Sequence, residues 1–142
     1  MLPMIAEICS GGPVFGDQNL AKWPCFRLSQ TDPDLLPGDK LVAIARQSLA
    51  AMAAEAEFLY LMMQAISTPE VSKLLEHDFK TCYDEFMTVL APLFEALGDP
   101  QPVAAASLYL AILDGAMLQS LVGATLFDQE QILTQMRERF GL

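Results

Sequence analysis

The sequence predicts an all-α protein, a helical bundle of about four to six helices within one domain. Three observations support this class. Apolar residues make up 53% of the 142 residues, with Leu and Met plentiful and β-branched residues comparatively few, a balance that favours helices over strands. Apolar positions recur at spacings of three and four over long stretches, which is the period of a helix face. Clusters of proline and glycine separate these stretches.

Residues 1–39 differ from the rest of the chain because their five prolines and four glycines interrupt any long helix. Phe15, Trp23 and Phe26 are too apolar for a freely solvated tail. Two interpretations stay open: an irregular N-terminal arm that lays these rings against the helical body, or a disordered leader. The division predicted is therefore an arm over 1–39 and a helical domain over 40–142.

The first long helix is predicted over 40–66, with Asp39 as its cap. Its apolar stripe consists of Leu41, Ala45, Leu49, Met52, Ala56, Leu59, Met63 and Ile66.

A second long helix is predicted to start at Pro69. Proline lacks a backbone N–H, but in the first turn of a helix that loss costs nothing. Ser67 and Glu70 have the spacing of a capping box. Pro92 removes one backbone hydrogen bond, so a kink or a break is expected in this middle helix, and Gly98 ends it.

The penultimate helix is predicted over 103–123 and is apolar on every side, with Asp114 as its only charge. Such a helix must be covered all round by its own domain, by lipid or by a second copy of the chain. Lipid is disfavoured because no Lys or Arg occurs between Thr81 and Met136 to set an orientation, and because Asp114 would be costly in hydrocarbon. We therefore predict a buried helix at a subunit interface, with Asp114 bonded to backbone N–H groups or to a neighbouring tyrosine.

The last helix is predicted to begin after Asp128, which is spaced with Gln131 to cap it. Its apolar stripe consists of Ile132, Leu133, Met136 and Phe140.

Composition excludes several functions. The formal charge is −10 and the eight basic residues are scattered, so the chain lacks the basic surface of a nucleic-acid binder and is not suited to anionic membranes. Three cysteines and the single His77 show no metal-type spacing, so no disulfide framework, metal site or cofactor is predicted, and a reducing cytoplasm is the expected location. Acidic residues near His77 are interpreted as a solvated face. No nucleophile elbow or phosphate loop occurs, so an enzyme is not expected.

The segment Leu113-Asp114-Gly115-Ala116-Met117-Leu118-Gln119-Ser120-Leu121-Val122-Gly123, followed by Phe127-Asp128 and a short final helix, resembles the C-terminal regulatory domain of tetracycline-repressor (TetR) family regulators. The helix start at 68–70 and the Gly-Asp-Pro turn at 98–100 are also similar to that family. The resemblance covers about residues 40–142.

The resemblance implies an all-helical domain that senses a small molecule and forms a homodimer, in which the last two helices of each subunit make an intersubunit four-helix bundle. We expect the dimer interface to include Leu113, Leu118, Leu121, Val122, Leu133, Met136 and Phe140. An apolar effector would bind between the middle helices and the penultimate helix. Its expected lining is Phe58, Met62, Tyr83, Phe86, Met87, Tyr109 and Met117, although at helical spacing the same side chains also fit a plain hydrophobic core.

The N-terminal part departs from the family, whose DNA-binding head is a helix-turn-helix unit in front of the regulatory domain. Residues 1–39 are too short, too rich in proline and too acidic to be that head. The chain is therefore expected to be either a truncated regulator or a regulatory domain that works without a head, and it binds DNA only if a longer chain or a partner supplies one. An alternative function is a headless interaction protein that heterodimerises with an intact regulator through 103–140 and withdraws it from DNA.

Overall fold

The computed structural model describes residues 32–54, 56–123 and 128–142, and in these ranges it contains helices and no strand. The all-α prediction is confirmed. The helices of the described residues are α1 (Pro37–Ala54), α2 (Ala56–Ser67), α3 (Pro69–Ala96), α4 (Pro102–Leu121) and α5 (Gln129–Phe140). Residues 1–31 lie outside the described residues, and so do both interpretations of the N-terminal arm.

The helix predicted over 40–66 is observed as α1 and α2, on either side of Glu55, which lies outside the described residues. The predicted cap at Asp39 is wrong, because α1 begins earlier and Asp39 lies in its first turn. The first backbone bond of α1 runs from the Lys40 N–H to the Leu36 carbonyl at 2.9 Å. A proline can occupy the first helical position without losing a bond, which allows the earlier start.

Helix α3 starts at Pro69 as predicted, but the capping box is wrong. Thr68 is the cap residue and its side chain makes no capping bond. The Ser67 hydroxyl donates to the Met63 carbonyl at 2.7 Å, and the Thr68 hydroxyl donates to the Gln64 carbonyl at 2.9 Å. Because α2 ends immediately before α3, both hydroxyls satisfy the last carbonyls of α2 instead of the first N–H groups of α3.

Helix α3 continues unbroken through Pro92, so the break considered for that position does not occur. Its end is a glycine cap: Gly98 has a φ of 81°, its N–H donates to the Glu95 carbonyl at 2.9 Å, and the Asp99 N–H donates to the Phe94 carbonyl at 3.1 Å. This pair of bonds is a Schellman motif, which requires the left-handed backbone that glycine adopts without strain. The predicted stop at Gly98 is confirmed.

Three aromatic rings form the centre of the core, where α1, α3, α4 and α5 meet. The ring centroids of Phe94, Tyr109 and Phe140 lie 5.3 to 5.8 Å apart in tilted and edge-on arrangements. Tyr109 is fully buried, and its hydroxyl donates to the Leu41 carbonyl in α1 at 2.5 Å. Burial raises the pKa of this phenol, so it stays neutral and fixes α4 against α1.

The start of α5 is anchored by a side-chain cap. The Asp128 carboxylate accepts hydrogen bonds from the backbone N–H groups of Glu130 at 2.9 Å and Gln131 at 3.3 Å, so the predicted cap is confirmed. The same end is joined to α1, because Arg46 pairs with Glu130 at 2.6 Å. These contacts hold the short α5 in place at the edge of the core.

Replacing Asp128 by alanine is expected to lower the free energy of unfolding by about 1 kcal/mol, because two N–H groups at the start of α5 lose their acceptor. Chemical denaturation measures this difference. The Asp128→Asn variant keeps an acceptor oxygen and should retain most of the stability. Equal losses in both variants would show that the stabilisation comes from the charge of the carboxylate and not from its capping hydrogen bonds.

Helix α4 is covered on one side only within the protomer. Its buried residues are Ala106, Tyr109, Leu110, Leu113 and Ala116. Among the described residues it is the one helix long and apolar enough to cross a membrane, but core helices of soluble proteins have the same length and composition. Only 28% of its most apolar window is buried, so a single protomer does not give α4 the full cover that its composition requires.

Candidate functional site

The outer side of α4 carries an uncharged stripe of small and apolar residues, which we call the α4 stripe. Its members follow one another at spacings of three and four and are Ala104, Leu108, Ala111, Gly115, Leu118 and Val122. Leu108, Leu118 and Val122 are 39%, 45% and 72% exposed. No atom of the described residues lies within 4 Å of the position that a Gly115 Cβ would occupy. The stripe is therefore a continuous apolar surface open to a partner.

A groove of about 560 Å³ runs beside the α4 stripe, between α4 and α5. Its walls include Leu108 and Ile112 from α4 and Ile132 from α5. Amide and guanidinium groups surround this apolar floor, with Gln135 and Arg139 on the α5 side. An apolar centre with a polar rim is typical of protein–protein interfaces.

The residues predicted for the dimer interface fall into two groups. Leu118 and Val122 belong to the exposed α4 stripe. Leu113, Leu133 and Met136 are at most 4% exposed and pack inside the protomer. These three buried residues therefore stabilise the fold of the chain itself.

Two further predicted interface residues, Leu121 and Phe140, are partly buried against the core. Sequence reasoning missed Leu108 and Ala111, which the stripe includes. They could have been found from the sequence, because Ala111 and Leu108 precede Leu118 by seven and ten residues and therefore lie on the same face of a helix.

A polar pair joins α3 and α4, in which Tyr83 is 48% exposed and Asp114 is partly buried. The Tyr83 hydroxyl donates a hydrogen bond to Asp114 Oδ2 at 2.8 Å, so the predicted tyrosine partner of Asp114 is confirmed. Burial raises the pKa of Asp114, and the hydrogen bond from Tyr83 partly offsets this rise. Burial also raises the pKa of Tyr83, with further increases from the hydrogen bond and the charge of Asp114. The tyrosine remains a donor throughout the physiological pH range.

Flexible apolar side chains lie next to this pair. Met87 is one turn beyond Tyr83 and accepts a long hydrogen bond from the Ser107 hydroxyl of α4, with 4.0 Å between Oγ and Sδ. Phe86 and Met117 are partly buried and pack against the core. Of the predicted effector-lining residues, Tyr83 and Met87 of α3 each contact α4, while Phe86 and Met117 pack against the core.

The remaining predicted lining residues are placed differently. The ring of Tyr109 is enclosed by the aromatic centre of the core and its hydroxyl is already bonded to α1. The side chains of Phe58 and Met62 on α2 lie outside the described residues.

The stability conferred by the Tyr83–Asp114 pair is expected to depend on pH. The pKa of Asp114 is raised by folding, so the folded state holds its proton more tightly than the unfolded state. The free energy of unfolding should therefore fall as pH rises from the ordinary aspartate pKa to the raised one. Denaturation of the wild type and of Asp114→Asn across this range measures the difference, and only the wild type should show this part of the slope.

The Tyr83→Phe variant is the matched control for this titration. It removes the hydrogen bond that favours the ionised carboxylate, so the pKa of Asp114 should rise further and the fall in stability should extend to higher pH. Identical pH profiles for wild type and Asp114→Asn would contradict the assignment.

The acidic surface around His77 is solvated, as predicted. Glu76, His77 and Glu85 are exposed, and Lys80 pairs with Asp84 on the same helix. Within the described parts of the chain, no group of three or more His, Cys, Asp or Glu side chains is arranged to hold a metal ion.

Comparison with known proteins identifies the family. The family model for the C-terminal domain of BetI-type transcriptional repressors matches residues 37–140, which span all five helices of the described residues. Comparisons with curated proteins and with solved structures gave no match. The matched range includes both the α4 stripe and the Tyr83–Asp114 pair. The chain therefore belongs to the tetracycline-repressor family of transcriptional regulators, as a C-terminal domain of the BetI type.

Proposed function

We propose that this chain is the small-molecule-sensing and homodimerising domain of a cytoplasmic transcriptional regulator. C-terminal domains of its family are not enzymes, and they typically dimerise and bind small-molecule effectors. The observation that carries the proposal is the uncharged stripe that α4 leaves exposed. On this proposal, α4 binds the partner subunit with its outer side and the effector with its inner side.

The occupant proposed for the α4 stripe is the same stripe of a second copy. A two-fold axis brings identical surfaces together, so the surface must be complementary to itself. Each chain carries a formal charge of −10, and two such chains repel each other wherever their acidic surfaces approach. The stripe carries no charge, and the one carboxylate of α4, Asp114, is bonded to the Tyr83 hydroxyl of α3. Two copies can therefore meet there with little repulsion and little loss of hydration.

The effector is proposed to bind where α2, α3 and α4 meet. Met87 and Met117 adapt to irregular apolar shapes because their side chains are flexible and polarizable. The Tyr83–Asp114 pair adds one polar anchor at the edge of this apolar surface. Pockets for small molecules combine these two features, so the region suits an apolar effector that carries a polar group.

Thermal unfolding in the presence of a library of apolar and amphipathic compounds tests the effector site. A compound at a hundred times its dissociation constant should stabilise the folded state by about 2.7 kcal/mol. Met117→Trp fills space at the proposed site, so it should abolish that stabilisation. Leu74→Trp, at a position on α3 that is 66% exposed, should leave it intact. Stabilisation that survives Met117→Trp unchanged would place the compound elsewhere.

The second candidate, heterodimerisation with an intact regulator, would use the same α4 stripe. The two functions differ in the behaviour of the pure chain. A sequestering protein would be monomeric alone and would form a stable complex when mixed with an intact family member. A homodimer in the absence of any other protein favours the first function.

A further inference from the structure

We infer that a row of polar residues on α5 sets the orientation of the two subunits in the proposed homodimer. In this orientation α5 of one copy runs antiparallel to α5 of the other, and Asp128 of each copy pairs with Arg139 of the other copy. The row, which we call the α5 row, consists of Asp128, Gln131, Gln135 and Arg139. The inference rests on the proposed homodimer and adds to it the residues that select one orientation.

The α5 row lies on one face of its helix and borders one groove. Its members follow one another at spacings of three, four and four residues, which keeps them on the same side of a helix. All of them line the groove between α4 and α5, together with the apolar Ile132 and Met136. All of them are also exposed. A partner that enters this groove therefore meets the α5 row.

The two ends of the α5 row carry opposite charges. Arg139 follows Asp128 by eleven positions, so the two lie roughly 16 Å apart along the helix and cannot pair with each other. No ion pair joins either of them to another residue in the part of the chain that the structure describes. Both capping hydrogen bonds of Asp128 go to Oδ1, so Oδ2 can accept a further one. Each end of the row can thus bind an opposite charge from outside the chain.

This order of charges suits a second copy of the α5 row in one orientation. A two-fold axis perpendicular to α5 makes the two copies of the helix antiparallel. Asp128 of each copy then lies near Arg139 of the other. Gln131 lies near Gln135 of the other copy, and their amides can both donate and accept. In a parallel arrangement each charge would face its own kind and repel it, so the row favours the antiparallel dimer and opposes the parallel one.

The α5 row complements the α4 stripe. Leu108 belongs to the stripe and also lines the groove, so the two surfaces adjoin. An uncharged apolar stripe supplies affinity but selects orientation weakly, whereas charged positions beside an apolar seam set the orientation of paired helices. Arg137 and Arg139 are the only basic residues after Lys80, and of these two Arg139 alone lines the groove.

Charge reversal at Arg139 tests the inference. Arg139→Glu should raise the dissociation constant of the homodimer about tenfold, because two exposed ion pairs become two contacts between like charges. Arg137→Glu is the matched control. It changes the net charge equally in the same last turn of α5, but Arg137 does not line the groove, so this variant should dimerise like the wild type. Analytical ultracentrifugation at low ionic strength measures both constants.

A second change at Asp128 should rescue the dimer. Asp128→Lys combined with Arg139→Glu exchanges the two charges and keeps the net charge of the wild type, so its dissociation constant should return toward the wild-type value. Lysine cannot cap α5, and circular dichroism shows whether this variant keeps its helices. Asp128→Asn combined with Arg139→Glu keeps the cap and removes the contact between like charges, so it should recover part of the affinity even if the lysine variant does not fold.

The outcomes separate this inference from the homodimer on which it rests. A dimeric wild type with an Arg139→Glu variant of equal affinity would overturn the inference and leave the homodimer standing. So would an equal loss in Arg137→Glu, which would assign the effect to net charge, or a loss that neither change at Asp128 relieves. A wild type that stays monomeric at every concentration would reject both the homodimer and the orientation inferred for it.

Discussion

A glutamate in place of Leu118 is expected to raise the dissociation constant of the proposed homodimer by a hundredfold or more. Leu118 lies near the C-terminal end of the α4 stripe and is 45% exposed in the protomer, so the substitution should not disturb the fold. In a symmetric dimer each copy would bury one unpaired carboxylate. Burying a charge without a partner costs about 3–5 kcal/mol, and each 1.4 kcal/mol corresponds to a factor of ten in affinity.

Analytical ultracentrifugation or light scattering over a range of concentrations measures this change. Leu74→Glu is the matched control, because it places the same charge on an exposed leucine of α3 that lies outside the stripe. The control should dimerise like the wild type. Unchanged self-association of Leu118→Glu would exclude the α4 stripe as the interface, and a wild type that stays monomeric at all concentrations would exclude homodimerisation.

Replacing Tyr109 by alanine is expected to lower the free energy of unfolding by about 3–5 kcal/mol, the largest loss of stability that we predict for this chain. The substitution removes a fully buried ring that contacts Phe94 and Phe140, and it deletes the hydrogen bond to the Leu41 carbonyl. A loss of this size is a large fraction of the roughly 5–15 kcal/mol that stabilises a typical domain. Chemical denaturation should show a much lower midpoint, provided that the variant still folds.

Tyr109→Phe separates the ring from the hydroxyl. It keeps the aromatic packing and loses only the bond to Leu41, so its cost should be about 1 kcal/mol. If the alanine and phenylalanine variants were equally unstable, the hydroxyl rather than the ring cluster would be the main contribution, contrary to the packing described here.

Helix ends could be predicted from the sequence because their signals are local. Pro69, Gly98 and Asp128 act through their own backbone geometry or through groups two or three residues away. The capping box at Ser67 failed for a reason that is also local. A hydroxyl between two closely spaced helices can satisfy either the carbonyls behind it or the N–H groups ahead, and residue spacing alone does not decide between them.

The orientation of α4 could not be predicted from its sequence. The sequence of an amphipathic helix shows which side is buried. Because α4 is apolar on every side, its sequence does not show which side packs inside the chain. For this reason Tyr109 was expected beside the effector and Leu113 at the dimer interface, whereas both lie in the core of the protomer. Asp114 was the exception. A single carboxylate in an apolar helix needs a donor, and the Tyr83 hydroxyl supplies it.

Two adjoining faces of α4 make different contacts: Asp114 is bonded to Tyr83 of α3, while Gly115 and Leu118 belong to the exposed stripe. A hydrogen-bonded helix turns as a rigid rod, so twisting it about its long axis displaces both sides at once. With side chains about 5 Å from that axis, a twist of some 20° moves them by roughly 2 Å. A rotation of α4 that displaces Asp114 therefore displaces the α4 stripe as well, without any chain of intermediate residues between them.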